Sequence, residues 1–129
     1  MLKKRRLYIL ALLISSTFSA SGATNKSNEI KLSFIGDSES LAFMGIKQGM
    51  AEANAQGVFI GKKYSLTASA NSSTAIFTTK NAKHIALLSK AYPNKVIFNL
   101  TAEDNDLRTE CFANVLHMIP SQAMKEDAE

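Results

Sequence analysis

The chain has 129 residues, one cysteine and a formal net charge of +4, with 15 Lys and Arg against 11 Asp and Glu. This length allows one domain with a modest core, and a single cysteine excludes an internal disulfide. Four basic side chains lie within the first six positions. The positive charge is therefore local and does not indicate a nucleic-acid-binding surface.

Residues 1–23 have the pattern of a secretory signal peptide. The basic segment Lys3–Arg6 precedes the apolar run Leu7–Ile14, and mostly small residues follow as far as Ala23. The apolar run is shorter than the ~20 residues of a membrane span. We expect cleavage after Ala23, export to the periplasm and no stable membrane insertion afterwards. The exported chain would carry 11 of the 15 basic residues against 11 acidic ones, and residues 24–29 would form a polar leader.

A strand and a polar loop are predicted next. Ile30–Ile35 is a β-favouring run that ends at Gly36, and its composition fits a strand covered on both faces. Asp37–Ser40 supplies candidate N-caps and negative charge, which favour the start of a helix.

The predicted first helix follows Ser40 and has a broad apolar side. Gly57 is expected to be its C-cap. Gly45 and Gly49 each weaken a helix by about 1 kcal/mol relative to Ala, so their presence predicts close packing of the helix on a sheet.

Two short strands are predicted in the middle of the chain. Polar and apolar residues alternate over Tyr64–Ala70, and Ala75–Thr79 is a second β-favouring run. Only residues 71–74 separate them, whereas a parallel crossover usually takes a dozen or more residues. The pair is therefore predicted to be a hairpin or one strand interrupted by a bulge.

A helix and a strand are predicted in the second half. Asn81–Tyr92 has helical periodicity and is stopped by Pro93, and 95–101 is the strongest strand candidate there. His84 is expected to be an exposed helix residue, since no partner is spaced to form a site with it.

The first helix resembles that of type 1 periplasmic solute-binding proteins of ABC transporters, the leucine/isoleucine/valine-binding-like receptors. The resemblance is carried by Gly45-Ile-Lys-Gln-Gly49, by Ala51–Gly57 with Asn54 in register, and by Gly61-Lys62. The sequence has Gly57-Val58 where that family usually has two glycines. It also lacks the helix that the family places between the strands near 64–70 and 75–79.

The tail is similar to a subgroup of these receptors that is associated with PQQ-dependent alcohol dehydrogenase systems. Asn105 replaces the second Asp of the subgroup's pattern. The residues that match the pattern are Asn99, Ala102, Asp104, Leu107, Arg108, Cys111, Asn114, His117, Pro120, Ser121, Ala123 and Met124.

The resemblance implies an α/β fold, a three-layer sandwich with a mostly parallel sheet. Residues 30–119 would be a partial N-terminal ligand-binding lobe, and 120–129 the truncated start of a second-lobe helix. Type 1 receptors are several-fold longer and close two lobes on their ligand, so this chain alone is not expected to bind by closure.

The implied function is capture of a small organic solute for the membrane subunits of an ABC importer, with a link to PQQ-dependent alcohol oxidation. In such sheets ligands bind beyond the carboxyl ends of the strands. Hydroxyls and amides near the first helix could accept a carboxylate, although Asp37 and Glu39 would oppose an anion. The candidate ligand-binding residues are Asp37, Ser38, Ser40, Thr79, Thr101, Asp104 and Arg108.

No catalytic, metal or cofactor motif accompanies these residues. The segment 104–106 lacks the glycine and glutamate of a calcium loop, and a zinc site lacks ligands. Cys111 is expected to be a buried structural residue. Arg108 is expected to pair with Asp104 or Asp106, or alternatively to hold a carboxylate.

Other functions remain open. One alternative is an exported protein-interaction module, which exposed apolar area and self-association would favour; another is a non-functional fragment. A hydrolase would need a nucleophile and a base that the sequence does not show. The sequence therefore predicts a binding protein and not an enzyme.

Overall fold

The computed structural model describes residues 28–129, which form an α/β fold around a five-stranded parallel sheet in the order β2-β1-β3-β4-β5. The predicted signal peptide and most of the predicted leader lie outside the described residues. No helix within 28–129 is long and apolar enough to cross a membrane. The strands are β1 (Asn28–Ile35), β2 (Lys62–Thr67), β3 (Ala75–Thr78), β4 (Val96–Asn99) and β5 (Val115–His117). The helices are α1 (Leu41–Gly57), α2 (Ala82–Ala91), α3 (Asp106–Thr109) and α4 (Gln122–Glu126), with 3-10 turns at Val58–Ile60 and Ala70–Ser72.

Helices lie on both faces of the sheet. One face carries Phe34, Phe77, Phe98 and Leu116 in register across four strands, and α1 packs on it through Phe43, whose ring lies 4.7 Å from that of Phe34. Because side chains alternate along a strand, neighbouring residues of β3 and β4 face the other way. The core on that second face contains Ile76, Ile97 and Ile85, and Ile85 belongs to α2. The predicted α/β class is therefore correct.

The start of α1 follows the sequence prediction. The Ser40 hydroxyl accepts a hydrogen bond from the Phe43 amide at 3.2 Å, which is a standard N-cap. Further along, the Asn54 side chain donates to the Tyr64 carbonyl oxygen at 2.9 Å and accepts from the Tyr64 amide at 2.7 Å. This pair of bonds fixes α1 against β2.

The glycines of this region act differently from the prediction. Gly57 is the last helical residue and not the C-cap, with φ of −62°, and the left-handed turn falls at Gly61 with φ of 66°. A Cβ at Gly57 would lie 2.3 Å from the Lys62 carbonyl oxygen, so this glycine permits close packing. A Cβ at Gly45 or Gly49 would meet nothing within 4 Å, so the predicted close contact at those two positions is wrong.

The predicted hairpin or bulged strand near 64–79 is also wrong. β2 and β3 both run parallel to β1, on opposite sides of it. Thr67 of β2 pairs with Ser33 and Ala75 of β3 pairs with Leu32, so β2 ends at almost the level where β3 begins. The chain needs only to cross β1 sideways, about 10 Å at ordinary strand spacing, and a 3-10 turn suffices.

The remaining boundaries are shifted by one to three residues. Asn28 and Glu29 belong to β1 and not to the leader. The predicted second helix is α2, with Asn81 as its N-cap, and the strand predicted over 95–101 is confined to Val96–Asn99. As expected, His84 is exposed.

The short strand β5 was not predicted. It is positioned by Asn114, whose side-chain amide donates to the carbonyl oxygens of Ser89, Tyr92 and Lys95 at 3.0–3.3 Å. Before it lies Cys111, which is exposed and has φ of 51°. The prediction of a buried cysteine is therefore wrong, because the chain turns outwards between α3 and β5.

Candidate functional site

The carboxyl ends of β1 and β3 lie side by side at the point where the strand order reverses. Doubly wound sheets of this order bind ligands there. The Asp37 amide donates to Thr79 Oγ1 at 3.4 Å, and the Thr101 hydroxyl donates to the Thr79 carbonyl oxygen at 3.1 Å. Three of the predicted site residues, Asp37, Thr79 and Thr101, are therefore brought together in one row, which we call the switch-point row.

Gly36 makes the centre of this row possible. A Cβ at Gly36 would lie 2.0 Å from Thr79 Oγ1 and 3.0 Å from the ring of Phe34. Glycine at this position leaves room for the Thr79 hydroxyl against the end of β1, and a larger residue would displace the Thr79 or Phe34 side chain. Gly36 was predicted to end the strand, but its part in the site comes from the strand pairing.

The two predicted serines have different positions. The Ser40 hydroxyl donates to the Asp37 carbonyl oxygen at 2.6 Å and caps α1, so it shapes the loop and is not free for a ligand. Ser38 lines a shallow cavity of about 270 Å³ together with Phe34, Phe43 and Thr67. This cavity opens beside the switch-point row on the α1 side of the sheet.

Asp104 lies elsewhere. It lines a groove of about 440 Å³ between α2 and α3, and the other charged residues there are Lys83, Asp106 and Glu110. No group of three His, Cys, Asp or Glu within residues 28–129 is arranged to hold a metal ion.

Arg108 does not pair with a carboxylate in the described part of the chain, where the ion pair found joins Lys125 to Glu103. The predicted pairing with Asp104 or Asp106 is therefore wrong. Arg108 instead points to the end of β5, and its Nη2 donates to the Ile119 carbonyl oxygen. Its Nη1 is buried without an acceptor among the described residues.

Asn99 and His117 belong to this second cluster, although neither was predicted as a site residue. Asn99 is fully buried, and its Oδ1 accepts from the amides of Thr101 and Ala102 at 3.3 and 2.8 Å. Its Nδ2 donates to the Ala102 carbonyl oxygen at 2.7 Å and lies 3.0 Å from His117 Nδ1. The signal in the sequence was a polar residue ending an apolar strand.

This network fixes the state of the histidine. Because Asn99 Oδ1 accepts two amide hydrogens, the orientation of the side-chain amide is determined, and Nδ2 must donate to His117 Nδ1. The neutral ring therefore carries its proton on Nε2. The pKa of His117 is lowered from 6.5, chiefly because burial disfavours the imidazolium and also because the Arg108 guanidinium repels it.

We expect His117 to make folding sensitive to mild acid. The unfolded chain binds a proton at this residue more readily than the folded chain does. The free energy of unfolding should therefore fall as pH decreases below about 6.5, until the lowered folded pKa is passed. Urea denaturation at about pH 7.5 and about pH 5.5 measures the effect. His117→Gln keeps an acceptor for Asn99 and retains His84, so it should lose less stability than the wild type between these two pH values. An equal loss in both proteins would show that His117 does not cause the acid sensitivity.

Comparison with known proteins does not extend this description, since no family model, curated protein or solved structure matches the chain. The fold and the two clusters, one at the switch point and one at the end of β5, define an α/β protein with polar groups along the carboxyl side of its sheet.

Proposed function

We propose that this protein is a periplasmic solute-binding component of an ABC importer, built on a partial type 1 ligand-binding lobe. The observation that carries the proposal is the switch-point row Asp37, Thr79 and Thr101, which spans the reversal of strand order. Ligands of doubly wound sheets bind at this place. The similarity of residues 45–62 to the first helix of type 1 receptors supports the same class, and that of 99–124 supports a link to PQQ-dependent alcohol oxidation.

The chemistry of the row favours a small solute with a hydroxyl or carbonyl group. Thr79 Oγ1 accepts from the Asp37 amide, which leaves its own hydrogen free to donate to a solute. Thr101 uses its hydrogen on the Thr79 carbonyl oxygen and keeps its lone pairs to accept. The exposed carboxylates of Asp37 and Glu39 oppose an anion directly at this point, so a neutral group of the solute would lie here.

The first experiment uses protein recovered from the periplasmic fraction after expression of the 129-residue chain. Its mass tests the expected cleavage after Ala23. Thermal melting is then followed alone and with short-chain alcohols, aldehydes and carboxylates, and sedimentation reports the oligomeric state. A cooperative melt that one class of solute raises supports the proposal, whereas a chain that no solute stabilises would contradict it.

Thr79→Val should weaken binding of the stabilising solute about tenfold, because the variant loses one hydrogen bond to the solute. A hydrogen bond that contributes about 1.4 kcal/mol corresponds to a tenfold change in affinity. Calorimetric titration measures the affinity. Thr74→Val is the matched control, since it makes the same change at the amino end of the same strand, away from the row. Equal affinities for the two variants would show that the solute does not bind at the switch point.

An exported interaction module is the second candidate, and exposed apolar side chains favour it. Phe59 is 90% exposed between Val58 and Ile60, and Leu116 and Met118 are at least half exposed near the free edge of the sheet. Patches of this kind mark interaction surfaces. Reversible self-association without any stabilising solute would favour this candidate over solute binding.

A further inference from the structure

A second polar cluster lies at the carboxyl ends of β4 and β5, beyond the switch-point row. Asn99 is the last residue of β4 and His117 is the last residue of β5, and Arg108 of α3 reaches the Ile119 carbonyl oxygen, two residues beyond His117. The cluster contains hydrogen-bond donors that the described residues do not use. We call it the Arg108 cluster.

The guanidinium of Arg108 is only half satisfied. Nη2 donates to the Ile119 carbonyl oxygen, but Nη1 is buried and has no acceptor in residues 28–129. A buried donor without an acceptor is unfavourable. A guanidinium fork is shaped to bind the two oxygens of a carboxylate. The described residues supply no such carboxylate, as the ion pair found there involves other side chains.

His117, two residues before the Ile119 that accepts from Arg108, supplies a second donor. Its Nδ1 is occupied by Asn99 Nδ2, so the ring hydrogen is on Nε2. No described residue accepts from Nε2, and this atom is not among the fully buried polar atoms without a partner, so its hydrogen is free to donate to a ligand. The pKa of the ring is lowered first by burial and second by the positive charge of Arg108.

We propose that the Arg108 cluster binds the carboxylate of a small organic acid, with Arg108 Nη1 and His117 Nε2 as the two donors. Asn99 is a positioning residue, because it holds the ring in the tautomer that donates from Nε2. Because Nη1 is buried, binding requires a local shift that opens this atom to the ligand. The inference rests on the proposed solute-binding function and names the class of solute.

Acetate is the probe for this proposal. The ring signals of His117 are followed by NMR during a pH titration, in sodium acetate and in sodium chloride at equal ionic strength. A bound carboxylate favours the imidazolium, so acetate should raise the pKa of His117 and chloride should not. Arg108→Gln should weaken acetate binding about tenfold or more, in line with loss of a charged hydrogen bond.

Two further variants guard against loss of folding and general charge effects. Arg108→Lys keeps the positive charge but has a single nitrogen, which cannot take both the Nη2 position at the Ile119 carbonyl oxygen and the Nη1 position at the carboxylate, so it should weaken acetate binding while keeping a cooperative melt. Lys83→Gln removes a positive charge from the neighbouring groove and should leave the acetate effect unchanged. Equal responses to acetate and chloride, or an acetate effect that survives in both Arg108 variants, would overturn the proposal.

The outcomes also separate this inference from the general function. Stabilisation by neutral solutes that depends on Thr79, without any specific acetate effect, would leave solute binding standing and reject the carboxylate site. An acetate effect that depends on Arg108, with no solute sensitive to Thr79→Val, would instead reject the switch-point row as the binding place.

Discussion

Replacing Asn99 by alanine should destabilise the fold by about 3 kcal/mol, because at least three buried or half-buried groups lose their partner at about 1 kcal/mol each. The variant would remove the hydrogen-bond partner of the Thr101 amide, the Ala102 amide and the Ala102 carbonyl oxygen. It would also remove the partner of His117 Nδ1. A domain of this size has only about 5–15 kcal/mol of stability. Urea denaturation followed by circular dichroism measures the loss.

The control for this prediction is Asn94→Ala. Asn94 is exposed in the turn before β4, and a surface substitution of this kind changes stability by about 0.5 kcal/mol or less. If the two alanine variants unfold at the same urea concentration, the buried network of Asn99 does not hold the loop after β4.

The second large effect is expected at Gly57. A Cβ there would lie 2.3 Å from the Lys62 carbonyl oxygen and 3.3 Å from its carbonyl carbon. These are backbone atoms, so they cannot rotate away as a side chain would. Gly57→Ala should destabilise the protein by about 2 kcal/mol, within the range for overpacking of a well-packed site, as measured by urea denaturation.

Gly49→Ala provides the opposite expectation on the same helix. Nothing lies within 4 Å of a Cβ at Gly49, and alanine is about 1 kcal/mol more favourable than glycine in a helix interior. This variant should therefore be more stable than the wild type. Destabilisation at both positions would mean that α1 lies closer to the sheet along its whole length.

The candidate site was predicted only in part. Position after a strand was enough to nominate Asp37, Thr79 and Thr101, because the carboxyl ends of parallel strands share one side of a sheet. Position alone could not show that Asp104 lies away from these three residues, in the groove between α2 and α3. It also gave no reason to include His117, whose strand has three residues and too little periodicity to be recognised.

Local sequence determined the elements whose signals are themselves local. Ser40, one of the predicted N-cap candidates, caps α1, and Asn81, predicted as the first residue of the second helix, caps α2; capping depends on a side chain and an amide three residues away. The apolar runs of β1, β3 and β4 were likewise recognised from composition. These features together were sufficient for the α/β class.

Tertiary structure alone decided how the elements pair and where the polar groups converge. β2 and β3 lie on either side of β1, and the end of β2 matches the start of β3 in level. No short window of sequence contains this register. The same pairing brings Thr79 against Gly36. Arg108 reaches Ile119 and not a nearby aspartate because α3 and the end of β5 are neighbours in space, and contacts between distant segments depend on the whole fold.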